Sequence, residues 1–420
     1  MKIPTLGEAQ FSSPLNFSVS NEARIPVHAI FTPGEQSNDE ILFEIAGPRP
    51  KLFFDPKQTR AALVTCGGLC PGLNNVIRSV FLALHHCYQV KEVLGFQNGY
   101  QGLDPELGGE PLVLTPRLVE DIHKEGGTIL NTSRGPVNTK RAVDNLIQRG
   151  VDILFTLGGD GTQKGGYDLY LEAKRRGHPL AVVGIPKTVD NDIPFVSRTF
   201  GYLTAIEQAC KVIECAHTEA HSVENGISVV KLMGRHAGFI AAGSTIASQD
   251  VNFTLVPEIP FKMEGDRGFL AALKQRILKR NHAVIVIAEG AGQDLLENSG
   301  NERDASGNIK LKDIGLFLKE KITAYFKVEN IPATLRYFDP NYIVRSCRAD
   351  SEDAILCDFY GRNAVHAAMA GKTGLLIGLH HDVFIHVPIE LLATRKKRLD
   401  PKSQLWHAVL SSTGQPALFE

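Results

Sequence analysis

The stretch DILFTLGGDGTQKGG, Asp152–Gly166, decides the fold. Its apolar run stops at glycines set around a single aspartate, Asp160, and a helix-like stretch then continues to Arg176. Such a run reads as a buried strand whose end must let backbone approach something closely. The same unit occurs upstream: RAALVT from Arg60, then CGGLCPGLN, then Val76, Ile77, Val80, Phe81 and Leu84 at helical spacing. It occurs again in PLAVVGIPKTVDND followed by TAIEQACKVIECAH. Alternating β and α units imply a parallel sheet with covered faces.

Beyond about Gly201 the alternation resumes with GISVVKLMG, FTLVPE and HAVIVIAEG, which predicts a second α/β domain. The length agrees, since single cores stop growing near ~250–300 residues and this chain has 420. Residues 1–57, rich in Pro, Ser and Asn, read as an extension laid over the surface. The polar, glycine-dotted GAGQDLLENSGNERDASGNIK reads as a mobile surface insertion. In open parallel sheets ligands bind beyond the carboxyl ends of the strands, and the glycine and aspartate loops all fall there.

Composition narrows the partners. Lys+Arg 45 against Asp+Glu 46 leaves a formal charge of -1, so no global basic field recruits nucleic acid or a membrane surface. An anionic ligand must be met locally. Seven cysteines without a CxxC pair suggest reduced thiols. MKIPTLGEAQ lacks an apolar signal core, and no run approaches the ~18 uncharged apolar residues of a membrane span, so a soluble, cytoplasmic protein is expected. The histidine pairs 85/86 and 380/381 project apart without a third ligand, which favours packing over metal.

Two nucleotide-binding patterns nearly match and fail. HAAMAGKTG contains Gly371-Lys372-Thr373, but His366 stands where the first P-loop glycine belongs, so a helix C-terminus with its capping glycine explains it better. GGDGTQKGG puts Lys164 in the third glycine position of the dinucleotide fingerprint. The remaining loops share one chemistry. Gly67, Gly68 and Gly72, and Gly158, Gly159 and Gly161, let backbone N–H groups approach phosphate oxygens, and a following helix N-terminus favours anions. An aspartate in such a loop repels phosphate unless a cation intervenes, so Asp160 suggests Mg²⁺; the alternative is an aspartate capping the next helix. In PKTVDND, Asp190 and Asp192 alternate and point apart if extended, and Lys187 supplies a cation three residues earlier; Asx turns are the alternative.

Taken together, GGDGT, PKTVDND, KLMGRHAG, AEGAG and YFDPNYIVRS, in this order from about Arg60 to Gln415, resemble the 6-phosphofructokinase family. GGDGT alone is shared with NAD and lipid kinases. The tail LDPKSQLWHAVLSSTGQP and the long N-terminal segment resemble the subgroup that includes plant and protist ATP enzymes. The resemblance implies two Rossmann-like three-layer α/β domains with mostly parallel sheets and an active site in the cleft between them. It implies an extension at 1–57, an ATP-binding domain at 58–200 plus about 345–392, a fructose 6-phosphate-binding domain at 201–344 and a C-terminal tail at 393–420.

Roles follow by resemblance. Asp190 would be the general base toward the 1-hydroxyl of fructose 6-phosphate, with Thr188 and Val189 beside it. Asp160 would hold Mg²⁺, while Gly68, Arg134, Gly135, Gly159, Gly161 and Thr162 cradle ATP. Met233, Gly234 and Arg235 would line the sugar site, Arg235 also spreading charge from the phosphoryl group. Glu289 would accept sugar hydroxyls, and Tyr342, Ile343, Val344 and Arg345 would meet the 6-phosphate. Pyrophosphate users carry aspartate where Gly161 stands, crowding the α-phosphate of ATP; Lys187 looks like those users. The glycine-plus-lysine pairing resembles the ATP subgroup, so ATP is the implied donor and pyrophosphate the alternative. The arginine that reaches a neighbouring subunit in short bacterial enzymes is Gly226 here, while Arg336 matches a second one, which implies a homodimer or homotetramer. A silent sugar-phosphate or nucleotide sensor on the same fold is the different-class alternative.

Overall fold

The computed structural model describes residues 2–28, 41–135, 138–296, 302–303 and 309–420. The chain forms two compact units: Met1–Thr188 with Ile193–Gly201 and Ser346–Lys396, and Val189–Asp192 with Tyr202–Arg345 and Lys397–Glu420.

The first unit is built on a nine-stranded sheet. Its centre is five parallel strands in the order Leu375–His380, Ala181–Pro186, Ile153–Gly158, Arg60–Thr65 and Glu92–Phe96. All six residues of Ile153–Gly158 and of Ala181–Pro186 are buried. Covering both faces removes the polar alternation an exposed face would need, so these strands are apolar throughout. Leu73–Leu82 and Asp160–Arg175 are the helices expected after the first two glycine loops. The strand order reverses between Arg60–Thr65 and Ile153–Gly158: the chain leaves the first toward Glu92–Phe96 and returns to pair on its other side. Loops diverge at such a point and open a crevice at the carboxyl edge.

The N-terminal segment corrects the expectation of a surface extension. Arg24–Pro26 and Leu42–Ile45 pair antiparallel and extend the sheet beside Val383–Pro388. Buried Phe43 and an electrostatic cluster anchor the segment there. Glu44 is buried and accepts hydrogen bonds from Arg49 at 2.8 Å and from His386 Nδ1 at 3.0 Å, with Lys372 Nζ 2.7 Å away. Burial pushes the Glu44 carboxyl up, but the hydrogen bonds and charges of His386 and Lys372 more than offset it and hold the group well below the ordinary carboxylate range. Removing that carboxylate would strand buried cations, so the segment is fixed to the sheet. Lys372, from the P-loop look-alike, is thus an ion-pair partner. Its neighbour Gly371, at φ 74°, follows the helix Ser351–Met369 as a terminator.

The second unit holds a four-stranded parallel sheet in the order Phe253–Leu255, His282–Ala288, Gly226–Leu232 and Thr334–Phe338. The expected C-terminal tail belongs to this unit's core. Phe419 is 5% exposed, and its ring lies 5.5 Å from Phe269 and 6.1 Å from Phe253. Each such aromatic pair adds ~0.5–1.5 kcal/mol beyond its buried area. Gln415 completes the join, its side chain accepting from Thr254 N at 2.6 Å and donating to Thr254 O at 3.2 Å. A side-chain amide here takes the place of a neighbouring strand.

Of the insertion-like stretch 290–310, residues 297–301 and 304–308 lie outside the described residues, as do 29–40 of the N-terminal segment and 136–137. All seven cysteines are free thiols. Among the described residues no helix is long and apolar enough to cross a membrane.

Candidate active site

Two carboxyl edges carry the residues singled out from the sequence. In the first unit the edge is made of backbone. Cys66 N bonds Leu157 O at 2.9 Å and Lys187 N bonds Gly158 O at 3.1 Å, so the three loops after Thr65, Gly158 and Pro186 stay side by side. Gln163, fully buried, donates to Gly158 O at 2.8 Å and Ile185 O at 3.2 Å and locks the last two. Tyr100 donates to the Thr162 carbonyl from below. Gly158 has to be glycine, because a Cβ would fall 2.1 Å from Thr162 Oγ1.

Gly159 precedes the helix Asp160–Arg175, and Asp160 and Gly161 occupy its exposed first turn. The first N–H groups of a helix lack intrahelical acceptors and point outward. Around Gly161 a Cβ would meet nothing within 4 Å, so the space above it is open. Gly67 N bonds Ser133 O at 3.0 Å, which sets Arg134 and Gly135, both exposed, after the loop that contains Gly68. Lys187 is 6% exposed and its ammonium donates to Gly68 O at 2.7 Å. The Cys66 thiol beside it is pushed up to about 12 by burial, which makes it a packing residue.

The PKTVDND segment turns instead of running extended, because Asn191 sits at φ 54°. The Thr188 carbonyl accepts from Thr199 Oγ1 at 2.7 Å, and Val189 is 4% exposed, so its side chain is packed. Asp190 Oδ2 faces Arg235 N at 3.5 Å, the outer limit of a hydrogen bond. Asp192 interacts with Lys397, whose ammonium lies 5.1 Å from the Phe239 ring centre and is lowered to about 7 by burial against the pull of Asp192. Sequence reasoning did not single out Lys397.

In the second unit the edge is made of charged side chains. Leu232 and Ala288 are register partners, so Met233-Gly234-Arg235 and Glu289 leave the sheet side by side, with Glu289 N on Leu232 O at 2.8 Å and Gly290 N on Gly234 O at 3.1 Å. Arg235 donates to the Ile309 carbonyl. Glu289 is raised above the ordinary carboxylate range by burial, against the pull of Arg235, Lys231 and Arg345 and with a push from Asp339. Arg345 stacks its guanidinium 4.8 Å from the Tyr342 ring centre. Tyr342 and Ile343 are exposed, whereas Val344 is fully buried and can meet a ligand only through its backbone. Lys231, Asp313 and Asp339 sit against this group and were missed; the one available signal was a lysine inside the apolar strand GISVVKL. Arg336 pairs with Glu219 on the edge strand Thr334–Phe338. Among the described residues no group of three or more His, Cys, Asp or Glu is arranged to hold a metal ion.

Comparison with known proteins gives the family and the fold. The phosphofructokinase family pattern matches residues 60–368. The chain is 46% identical to an ATP-dependent 6-phosphofructokinase of Borreliella burgdorferi, over 99% of this chain and 96% of that one. It is 45% identical to the chloroplastic ATP-dependent 6-phosphofructokinase 5 of Arabidopsis thaliana, over 88% of this chain and 68% of the other, and 45% identical to the Trypanosoma brucei brucei enzyme, over 89% and 76%. A pyrophosphate-dependent phosphofructokinase from Marinobacter aquaeolei superposes with a TM-score of 0.69 at 21% identity, covering 86% of this chain and 93% of that one, a likeness of fold. By sequence over nearly its whole length and by fold, the chain belongs to the phosphofructokinase family.

Proposed function

We propose that this phosphofructokinase transfers the γ-phosphoryl group of ATP to the 1-hydroxyl of fructose 6-phosphate, giving fructose 1,6-bisphosphate and ADP. The donor is ATP, in keeping with the relatives that carry that name. The observation that carries the reading is the open position over Gly161 at the start of the helix Asp160–Arg175. A carboxylate there would occupy that space and repel the α-phosphate. Lys187, bound to Gly68 O, supports the shape of the glycine loop in this scheme, so it fits an ATP site as well as a pyrophosphate site.

Asp190 takes the proton of the 1-hydroxyl as the oxygen attacks, and ADP leaves with the electron pair of the broken P–O bond. Thr188 and Val189 position that hydroxyl through their backbone. Gly68, Arg134, Gly135, Gly159, Gly161 and Thr162 hold ATP. Met233, Gly234, Arg235 and Glu289 hold the sugar, while Tyr342, Ile343, the Val344 backbone and Arg345 hold the 6-phosphate. Asp160 would keep Mg²⁺ on the donor phosphates, where the ion neutralises developing charge; a single exposed carboxylate suits an ion that retains waters and substrate phosphates as its other ligands. Arg235 spreads the remaining charge, and catalysis is positioning plus neutralisation. The reading is of a cytoplasmic enzyme, and Arg336 on an edge strand favours a homodimer or homotetramer.

The test is ADP release with fructose 6-phosphate, ATP and Mg²⁺ together and in each pair. Release only with all three supports the reading. Release without the sugar, or none in any mixture, removes it.

A further inference from the structure

We propose that Lys231 is a positioning residue for the sugar-phosphate half of this reaction: it ties the segment bearing Tyr342 and Arg345 to the strand end bearing Met233, Gly234 and Arg235. The inference rests on the acceptor assignment above. Lys231 lies two residues before Met233 on the strand Gly226–Leu232, with a side chain 10% exposed. Its Nζ is 2.6 Å from Asp313 Oδ2 and 2.9 Å from Asp339 Oδ2.

The two carboxylates belong to different pieces of the edge. Asp339 directly follows Thr334–Phe338, which runs parallel to the Lys231 strand with Val230 opposite Phe338, and it stands three residues before Tyr342. Asp313 caps the helix Ile314–Val328 through Gly315 N and Leu316 N, and also accepts from the Tyr337 hydroxyl at 2.9 Å. One ammonium therefore joins a strand end, a helix cap and the phosphate-binding turn. Burial alone would lower this lysine, but Asp313 and Asp339 more than offset it and keep it charged.

The consequence for binding is a matter of charge count. Burial raises Glu289, against the pull of Arg235, Lys231 and Arg345 and with a further push from Asp339. With Lys231 gone, Asp313 and Asp339 lose the ammonium they share, and Glu289 keeps the pull of Arg235 and Arg345. Asp339 then competes with the sugar phosphate for Arg345, and the turn that carries Tyr342 loses its anchor. Asp313 and Asp339 are 31% and 39% exposed, so solvent screens part of the loss, but one ammonium holds both carboxylates and both lose their partner together.

Steady-state kinetics of Lys231→Met, Lys231→Arg, and Lys231→Met combined with Asp339→Asn test this, with thermal midpoints measured alongside. Lys231→Met is expected to raise KM for fructose 6-phosphate about tenfold or more while KM for ATP stays within about twofold. Lys231→Arg should recover most of the loss, and adding Asp339→Asn should recover part of it by removing the uncompensated carboxylate. A lowered thermal midpoint with unchanged KM for fructose 6-phosphate, a parallel rise in both KM values, or a double variant worse than Lys231→Met would each overturn the proposal. If the wild type does not turn over, calorimetric binding of fructose 6-phosphate to wild type and Lys231→Met reads the same tie. Absence of binding by the wild type removes both this inference and the function it rests on.

Discussion

The two carboxyl edges are built of different material. Around Gly158–Thr162 the sequence supplies almost no side chain, and the surface offered is backbone N–H, a helix start and one carboxylate. Around Leu232–Arg235, Glu289 and Asp339–Arg345 the surface is a lattice of charges, with Lys231 and Asp313 beneath. A triphosphate presents many equivalent oxygens along a chain, which an array of backbone donors can follow without choosing among them. A sugar phosphate has hydroxyls to distinguish, and fixed side chains do that. Backbone groups do not titrate and cannot be deleted singly, whereas each charged side chain can be. The two edges should therefore fail differently when altered.

The largest effect is expected where the chemistry lies. Asp190→Asn should lower kcat by about 10²–10⁴-fold, the usual worth of a general base, while ATP binding measured by calorimetry stays near wild type. Wild-type turnover by that variant would remove Asp190 from its role. Gly161→Asp comes next. The added Cβ meets nothing and an acid suits a helix first turn, so folding should hold, but the carboxylate opposes the donor by about 2 kcal/mol, roughly a thirtyfold loss in kcat/KM for ATP. Unchanged ATP kinetics would mean that the open position is not where the donor lies. Arg345→Lys should raise KM for fructose 6-phosphate about tenfold, since an ammonium cannot reproduce bidentate contact or stacking on Tyr342. An equal rise in KM for ATP would erase the distinction between the edges.

The smallest effect is a pH slope. Burial raises the Glu289 carboxyl, so as pH falls it takes up its proton earlier than an ordinary glutamate of pKa 4.5 and can then no longer accept hydroxyls as an anion. With ATP saturating, kcat/KM for fructose 6-phosphate should fall a few-fold on the acid side. Glu289→Gln should flatten that limb. Stability carries a separate acid signature from the first unit. His386, lowered to about 4 by burial, must charge on unfolding, and Glu44 is held low. Both groups bind more protons unfolded, so the thermal midpoint should fall as pH drops below about 6.5 and more steeply below about 4.5. A flat midpoint across that range would contradict the buried cluster around Glu44.

What the sequence made legible follows the same division. Glycine marks backbone chemistry locally, so the loops at Gly67, Gly158 and Asp160 could be read from a few consecutive residues, as could the apolar strands that lead into them. The N-terminal segment could not, because its place depends on Glu44 meeting Arg49, Lys372 and His386, the last more than three hundred residues away. The C-terminus was hidden in the same way: nothing near Phe419 announces the ring of Phe253 or Phe269. Lys231 is the telling case. A charge within an apolar strand signals a partner, but the partners Asp313 and Asp339 are named only by the fold. The alternation of Asp190 and Asp192 assumed an extended chain, and Asn191 in the left-handed region replaced it with a turn.

The most direct test of the account is donor competition on the unaltered protein, with fructose 6-phosphate and Mg²⁺ fixed and ATP set against pyrophosphate. Turnover that follows ATP, with pyrophosphate neither consumed nor required, is the predicted result. Preferential consumption of pyrophosphate would contradict it, because the open space over Gly161 would then not be what selects the donor.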